Sequence, residues 1–402
     1  MEEATTKYKG VALQQEAFTK ELKSILDFWM DHSLDFAHGG FLGEMGNNGQ
    51  PVAGAVKGSV LNARILWSFS AAFNLLNDNR YLMMARRAFG YIRAYFIDPV
   101  NKGVYWSVSA QGKPADTKKQ IYSLAFTIYG LAEYYKATQE EEALNLAINL
   151  YEVIEKYSYD SQNGGYLEAF SKNWEAIDNL RLSDKDANEK KTMNTHLHVL
   201  EAYTTLFKVW PNEGLRQQLH KLIVDFEEHI LNNETGHLHL FLNENWDVRS
   251  DTISYGHDIE ASWLLVEAAE ALHDLTLLSR IRKLSVIIAE ASAKGLNPDD
   301  SMNYEFEPAS GHLIAERHWW VQAEAVVGFY NAYQISGHQH FYDKAAGVWN
   351  YINDSIIDHR YGEWHWGRHG DGTLIQGYGK GGFWKCPYHN SRACMEMLTR
   401  LK

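Results

Sequence analysis

Of its 402 residues this chain spends only two on cysteine and seven on proline. Cys386 and Cys394 sit on the last predicted helix without CxxC spacing, so neither a disulfide framework nor a thiolate zinc site is indicated. No Pro-, Gly- or Ser-rich linker interrupts the chain, which argues for a single domain over 1–402 rather than several joined by flexible segments. Basic charge is short as well: 38 Lys+Arg stand against 51 Asp+Glu, a net charge of −13. That balance lacks the basic patch a phosphate backbone demands, so no nucleic-acid partner is expected. No apolar run reaches about 18 residues, and no basic segment leads into a short apolar one near the N-terminus. No membrane contact and no secretory signal are expected, and the protein reads as cytoplasmic.

What the chain does have is a repeat. Strand-like, aromatic-rich stretches recur six times, in HGGFLGEM, NKGVYWSV, NGGYLEAF, TGHLHLFL, MNYEFEP and YGEWHWGR, the fifth without its glycine. Anchored on Gly40, Gly103, Gly165, Gly236, Asn303 and Gly362, the gaps are 63, 62, 71, 67 and 59 residues. A period of that length fits two helices and a connecting loop.

Around each anchor the apolar pattern has helical period, with one helix before it and one after. The leading helices, near 12–33, 79–97, 140–157, 213–231, 276–294 and 338–354, carry charged positions as half-exposed helices do. The following helices, near 58–77, 118–137, 191–210, 257–273, 317–335 and 386–401, are more apolar and aromatic. Six helical hairpins with the second set inside the first make an all-α, closed (α/α)6 barrel. The loop face, where each inner helix begins, is where a site is expected. Trp106, Trp319, Trp320, Trp364, Trp366 and Trp384 fall near that face, and flat rings with polar edges suit sugars, although each would also fill a wide interior. The closed ring needs no partner to bury its core, so a monomer is expected.

Histidines mark the chemistry. Asn194 and His198 are four apart on one helical face, whereas His196 points elsewhere and reads as a structural residue. His257 lies at a helix start with Glu260 three residues on, and Pro387 at a first helical position puts His389 in the first turn. An imidazole at a helix N-terminus is biased toward its neutral, proton-accepting form. His198, His257, Glu260 and His389 also contain metal-ligand types, but no segment has zinc-motif spacing, so no metal and no cofactor are expected. Arg64, Tyr122, Glu307 and Arg317 are suited to hydroxyl recognition, and an arginine on an apolar helix calls for a partner. The charged stretch 178–191 reads as a solvated loop bordering the cavity, with Asp186 its residue of interest.

Five separated segments, KGSVLNARILWSFSAAF, NTHLHVLEAYT, GHDIEASWLL, RHWWVQAEA and KCPYHNSRACMEML, resemble the cellobiose 2-epimerases of the N-acylglucosamine 2-epimerase superfamily, in the family's order and across essentially the whole chain. The resemblance implies an (α/α)6 barrel, no metal or organic cofactor, and reversible inversion at C2 of the reducing-end glucose of β-1,4-linked disaccharides. Cellobiose would give glucosyl-mannose, lactose epilactose and, in some members, mannobiose mannosyl-glucose. It implies acid–base roles for His257 and His389, a third catalytic histidine in His198, and Glu260 as their carboxylate support. Arg64, Tyr122 and Asn194 would contact the reacting sugar, Trp320 and Trp384 would stack on it, and Asp186 and Glu307 would reach it from the loops.

The chemistry agrees with this expectation. A sugar's C2 proton can be abstracted once ring opening makes C1 a carbonyl, and the enediolate then needs a proton from the opposite face. Histidines titrate where one can donate and another accept near neutrality, which predicts a working range around pH 7 to 8. The rival readings are an aldose–ketose isomerase or N-acylglucosamine 2-epimerase acting on monosaccharides, a glycoside hydrolase, which would want opposed carboxylates, and a non-catalytic carbohydrate-binding protein.

Overall fold

The computed structural model describes residues 13–402 and has twelve α-helices among them. An inner ring is formed by α2 (Ser59–Leu76), α4 (Ile121–Thr138), α6 (Met193–Val209), α8 (Tyr255–Leu272), α10 (Trp319–Ser336) and α12 (Tyr388–Arg400). Each packs on the next, and α12 packs on α2, so the ring closes. The outer helices are α1 (Gln15–His32), α3 (Asn79–Tyr91), α5 (Glu141–Tyr157), α7 (Glu213–Asp225), α9 (Leu275–Ser292) and α11 (Gln339–Tyr351). This is the (α/α)6 barrel, and residue 12 of the first expected helix lies outside the described residues. Among these residues no helix is long and apolar enough to cross a membrane.

The two rings differ as their sequences do. Every residue of α2 from Ser59 to Ser70 is buried, because neighbouring inner helices, an outer helix and the barrel interior surround it. By contrast α3 buries the stripe Tyr81, Met84, Ala85, Ala88 and Phe89, the helical spacing of a one-sided contact. Inner helices approach closely where a side chain is missing. A Cβ on Gly130 would lie 2.7 Å from the Ala63 carbonyl oxygen, and one on Gly328 2.6 Å from that of Ile259.

Helix pairing departs from the expected hairpins. Tight turns join each inner helix to the outer helix that follows it: α2 to α3, α4 to α5, α8 to α9 and α10 to α11 all pass through one left-handed residue, namely Asn77, Gln139, His273 or Gly337. Asp78 and Asp274 then cap the outer helices. The glycine loops instead cross the other end of the barrel, and α1 closes the circle against α12. The inner helices also begin later in three repeats. Lys119–Gln120, Lys191–Thr192 and Arg317–His318 are short strands paired with the next loop, since extended backbone there satisfies hydrogen bonds that a helix start leaves open. Likewise α12 starts at Tyr388, so Pro387 takes the capping position and Cys386 precedes the helix; both cysteines are free and buried.

Each loop repeats one device that the sequence analysis did not foresee. A two-residue bridge, such as Ile97 with Val104 or Tyr159 with Tyr166, pinches the loop shut. Inside the pinch Asp98 accepts from the Val100 and Asn101 N–H groups, both at 3.0 Å, and Lys119 donates to it at 2.8 Å with neither side chain exposed. Asp35 with Lys57 (2.7 Å), Asp160 with Lys191 (2.9 Å) and Asp358 with Lys380 (2.8 Å) repeat the pair. In the fourth repeat Asn232 accepts the same two N–H bonds, and Ile253 stands where the lysine would be. These clamps fix the loops, and with them the mouth of the cavity below.

Candidate active site

At the loop end of the barrel lies a cavity of about 530 Å³. The eleven residues to which the family resemblance gives roles all line it: Arg64, Tyr122, Asp186, Asn194, His198, His257, Glu260, Glu307, Trp320, Trp384 and His389. Topology explains the convergence, because six inner helices point the same ends at one space. Trp319 and Trp366 join the wall, whereas Trp106 and Trp364 are core residues; the Trp364 indole donates to Glu21 at 2.7 Å. Arg317 is not in the cavity either, since it is buried against Ser301 Oγ and the His369 carbonyl. His196 is structural as expected. Its Nε2 accepts from the Tyr166 N–H at 2.9 Å, so Nδ1 carries the proton that goes to the Thr192 carbonyl at 2.7 Å.

His198, His257 and His389 are each held through Nδ1, leaving Nε2 as the nitrogen available to a ligand, whereas His318, also in the wall, is tied to Glu316 through Nε2 at 2.7 Å. His389 Nδ1 lies 2.7 Å from Glu324 Oε1, His198 Nδ1 2.9 Å from Glu201 Oε2, and His257 Nδ1 2.8 Å from Ser254 Oγ. These partners differ from the expected one: Glu260 supports none of the three by a direct bond, and its Oε1 accepts from Arg392 Nη2 at 2.5 Å. His198 also sits deeper than a helix start, as the sixth residue of α6, while His257 is third in α8 and His389 second in α12. Burial first, then the neighbouring His198 and Arg64, bring His257 down to about 3. For His389 burial again leads, followed by Arg64 and Arg392, and the ring is held well below the ordinary histidine range. Both rings rest neutral near pH 7, ready to accept a proton.

Beneath the histidines lies a buried hub. Arg392 donates to Glu201, Glu260 and Glu324, and the Tyr388 hydroxyl donates to Glu201 as well. Glu260 is raised to about 7, by burial first and then by the Glu324 charge. Burial also tends to raise Glu201, but Arg392 and His198 hold it at about 2. Glu260, Glu324 and His389 each offer an atom within 4.8 Å of the others, the spacing of a metal site. The Arg392 guanidinium already bridges the two carboxylates and Glu324 holds His389 Nδ1, so these donors face a fixed cation.

Arg64 finds the partner expected of it, in neutral groups. Its partners are the Tyr122 hydroxyl (2.8 Å) and the Trp384 carbonyl (3.4 Å), with the Phe126 ring 4.1 Å from Cζ, and among the described residues no carboxylate pairs with it. A buried cation in direct contact with no carboxylate, facing a cavity, is suited to negative charge that develops in a ligand. At the mouth, Asp186 is tied to its own turn through the Ser183 N–H at 2.9 Å, and Glu307 is a half-exposed rim residue near Ser310.

Sequence reasoning missed Glu201, Glu324, Arg392 and the buried cavity residue Glu168, which accepts from Thr192 and Thr195 and is raised to about 7 by burial. The signal was present: Glu201 and Arg392 stand three residues beyond His198 and His389, and Glu324 is the lone charge in an otherwise apolar stretch of α10.

A family model described as N-acylglucosamine 2-epimerase matches residues 40–393. The cellobiose 2-epimerase of Bacteroides fragilis is 46% identical over 386 residues, 96% of this chain and 98% of that protein. That of Dictyoglomus turgidum is 37% identical over 97% of this chain and 99% of its own. The solved structure of cellobiose 2-epimerase from Bacillus thermoamylovorans superposes with a TM-score of 0.91 at 39% identity, covering 96% of this chain and 99% of that one.

Proposed function

The chain belongs to the N-acylglucosamine 2-epimerase family, and on that premise we propose that it inverts C2 of the reducing-end glucose of β-1,4-linked disaccharides. It is a carbohydrate epimerase, and cellobiose, lactose and mannobiose are the substrates to rank. One observation carries the assignment of roles: three imidazoles, each anchored through Nδ1, surround one cavity with an arginine that no carboxylate among the described residues contacts. In this reading the pyranose opens with a proton to its ring oxygen and removal of the anomeric proton, tasks for His198 and its neighbours. A neutral imidazole, His389 or His257, takes the C2 proton, and the bonding pair moves into C1–C2 as O1 becomes an enediolate oxygen. Arg64 and Tyr122 stabilise that oxygen. Return to C2 on the other face requires that the second imidazole first take up a proton at Nε2 from water or the neighbouring acidic groups. It delivers that proton to C2, and the first imidazole gives up the one it took, restoring both rings to the neutral state.

Trp320 and Trp384 supply flat faces for the rings, and Trp320 lies 4.8 Å from the His257 ring. The cavity continues past the histidines to Asp186, Glu305 and Glu307, which leaves room for a second sugar and favours disaccharides over monosaccharides. A monomer in the cytoplasm is part of the same proposal, and size-exclusion chromatography tests the first half.

The decisive experiment is NMR of the protein with cellobiose in D2O without added metal. A mannose-type reducing end, deuterated at C2 and without free monosaccharide, is the expected result. Free glucose would mean hydrolysis, and no change with cellobiose, lactose or mannobiose would overturn the disaccharide reading.

A further inference from the structure

Three carboxylates converge on the single guanidinium of Arg392 at the cavity floor. Nη2 donates to Glu260 Oε1 at 2.5 Å and to Glu324 Oε1 at 2.7 Å, while Nη1 bonds Glu201 and the Tyr388 hydroxyl. Arg392 is itself buried, with the Trp263 ring 4.8 Å from Cζ. Two of these carboxylates grip catalytic imidazoles, Glu201 that of His198 and Glu324 that of His389. We propose that Arg392 is a positioning residue that joins both imidazole–carboxylate pairs and Glu260 into one charge-sharing unit, so that the floor holds a proton in common rather than pair by pair. The proposal rests on the epimerase reading and deepens it.

Charge arithmetic gives the unit its proton count. From α6 come Glu201 and His198, from α8 Glu260 and His257, from α10 Glu324, and from α12 His389, Tyr388 and Arg392. From α2 comes Arg64, and α4 adds only the phenols Tyr122 and Tyr129, which burial keeps protonated, as it does Tyr388 and the thiol of Cys386. Three carboxylates against two guanidiniums leave one negative charge. A buried cluster is costly to leave charged, so one proton completes it. Glu260 and the three imidazoles are the places for it. Glu260, Glu324 and His389 have atoms within 4.8 Å of one another, a short path for transfer. One loaded site among vacant ones is what proton removal from one face and return from the other requires. Without Arg392 the floor would hold a second proton, and a base would be blocked at neutral pH.

The test reads the acid limb of the kcat–pH profile for epimerisation of cellobiose, together with a 13C titration of the glutamate carboxyls in the sugar-free, full-length protein. Arg392→Met should move the acid limb and the Glu260 titration up by at least one pH unit, so that activity at pH 6.5 falls about tenfold more than at pH 8.5. Glu201→Gln should move both down by about half a unit, although Glu201 bonds neither Glu260 nor His389. Lower rates at every pH with the limbs in place would reduce Arg392 to a structural residue and overturn the proposal. Should Arg392→Met not fold, an unmoved Glu260 titration in Glu201→Gln overturns it alone. If the protein epimerises no sugar, the functional reading fails, and the carboxyl titration still decides whether the charges are shared.

Discussion

The barrel buries acid–base pairs at two levels, and the levels treat charge in opposite ways. In the loop clamps each aspartate meets one lysine and two backbone N–H groups. For Asp98 burial acts to raise the carboxyl, but Lys119 and those N–H groups more than offset it and hold it well below the usual range. Asp35, Asp160 and Asp358 are lowered too. On the cavity floor three carboxylates share one arginine, and burial wins at two of them: Glu260 reaches about 7 and Glu324 is raised. A one-to-one pair with satisfied lone pairs fixes ionisation and position. A three-to-one cluster leaves protons undecided, which is unhelpful to a scaffold and useful for proton transfer.

The contrast is broken most severely at the floor. His389→Ala or His257→Ala should lower epimerisation of cellobiose by about 10²–10⁴-fold while the far-UV circular dichroism stays unchanged, because general acid–base catalysis is worth that much and neither side chain carries a helix. Retained turnover in both variants would remove these histidines from the chemistry. A parent that binds sugar without turnover, with both histidine variants still binding and Trp384→Ala abolishing it, would favour a binding protein instead.

Next comes the clamp. Lys119→Met leaves Asp98 buried and unpaired, and should destabilise the protein by about 3–5 kcal/mol in urea denaturation. The fourth repeat suggests its own remedy: Asp98→Asn with Lys119→Ile, copying Asn232 and Ile253, should restore most of that loss. Equal damage from single and double replacement would mean that the ion pair itself, not the stranded charge, holds the loop.

Acid should separate the two levels further. The clamp aspartates have folded values below the unfolded one of about 3.9, so their contribution is present above that pH and is lost as pH falls through the folded values. The neutral, buried His257, brought down to about 3, acts in the same direction between about 6.5 and 3. Stability should therefore fall steeply below about pH 4, and less steeply in the Asp98→Asn/Lys119→Ile protein; parallel curves would show that the clamps do not drive acid unfolding.

Much of this was legible in the sequence, for physical reasons. Helical periodicity reports burial, and in a closed ring burial distinguishes inner from outer, so both rings emerged from pattern alone. The histidines were visible because a repeat places equivalent helix starts in one space. What stayed hidden was pairing between distant charges. His389 finds Glu324 and not Glu260, a choice set by the packing of α10 on α12 that one helix's spacing does not contain. The clamps were within reach, since Asp35, Asp98 and Asp160 each stand five residues before an anchoring glycine and Lys57, Lys119 and Lys191 just before an inner helix. They were overlooked because charged residues in loops read as solvated, and here the loops fold over them. The hairpin pairing was misplaced for a related reason: the glycine loops look like turns, but the residues that reverse the chain tightly are single left-handed positions such as Asn77 and Gln139.

The smallest expected effect tests the floor from the side of stability. Glu260 titrates near 7 in the folded protein against about 4.5 for an ordinary glutamate, so the folded state holds its proton more tightly. Between those values the native protein binds more protons than the unfolded chain, and stability is lost as pH rises through the window. Above pH 7 the loss is complete and amounts to roughly 1–3 kcal/mol. Glu260→Gln removes the titration while keeping an oxygen for Arg392. The variant should thus match the parent at pH 5, exceed its stability by roughly that amount at pH 8, and lose epimerisation at both. An advantage of equal size at pH 5 and pH 8 would trace the gain to packing, and no advantage at either would mean that Glu260 is stably paired with Arg392 like a clamp, erasing the distinction between the two levels.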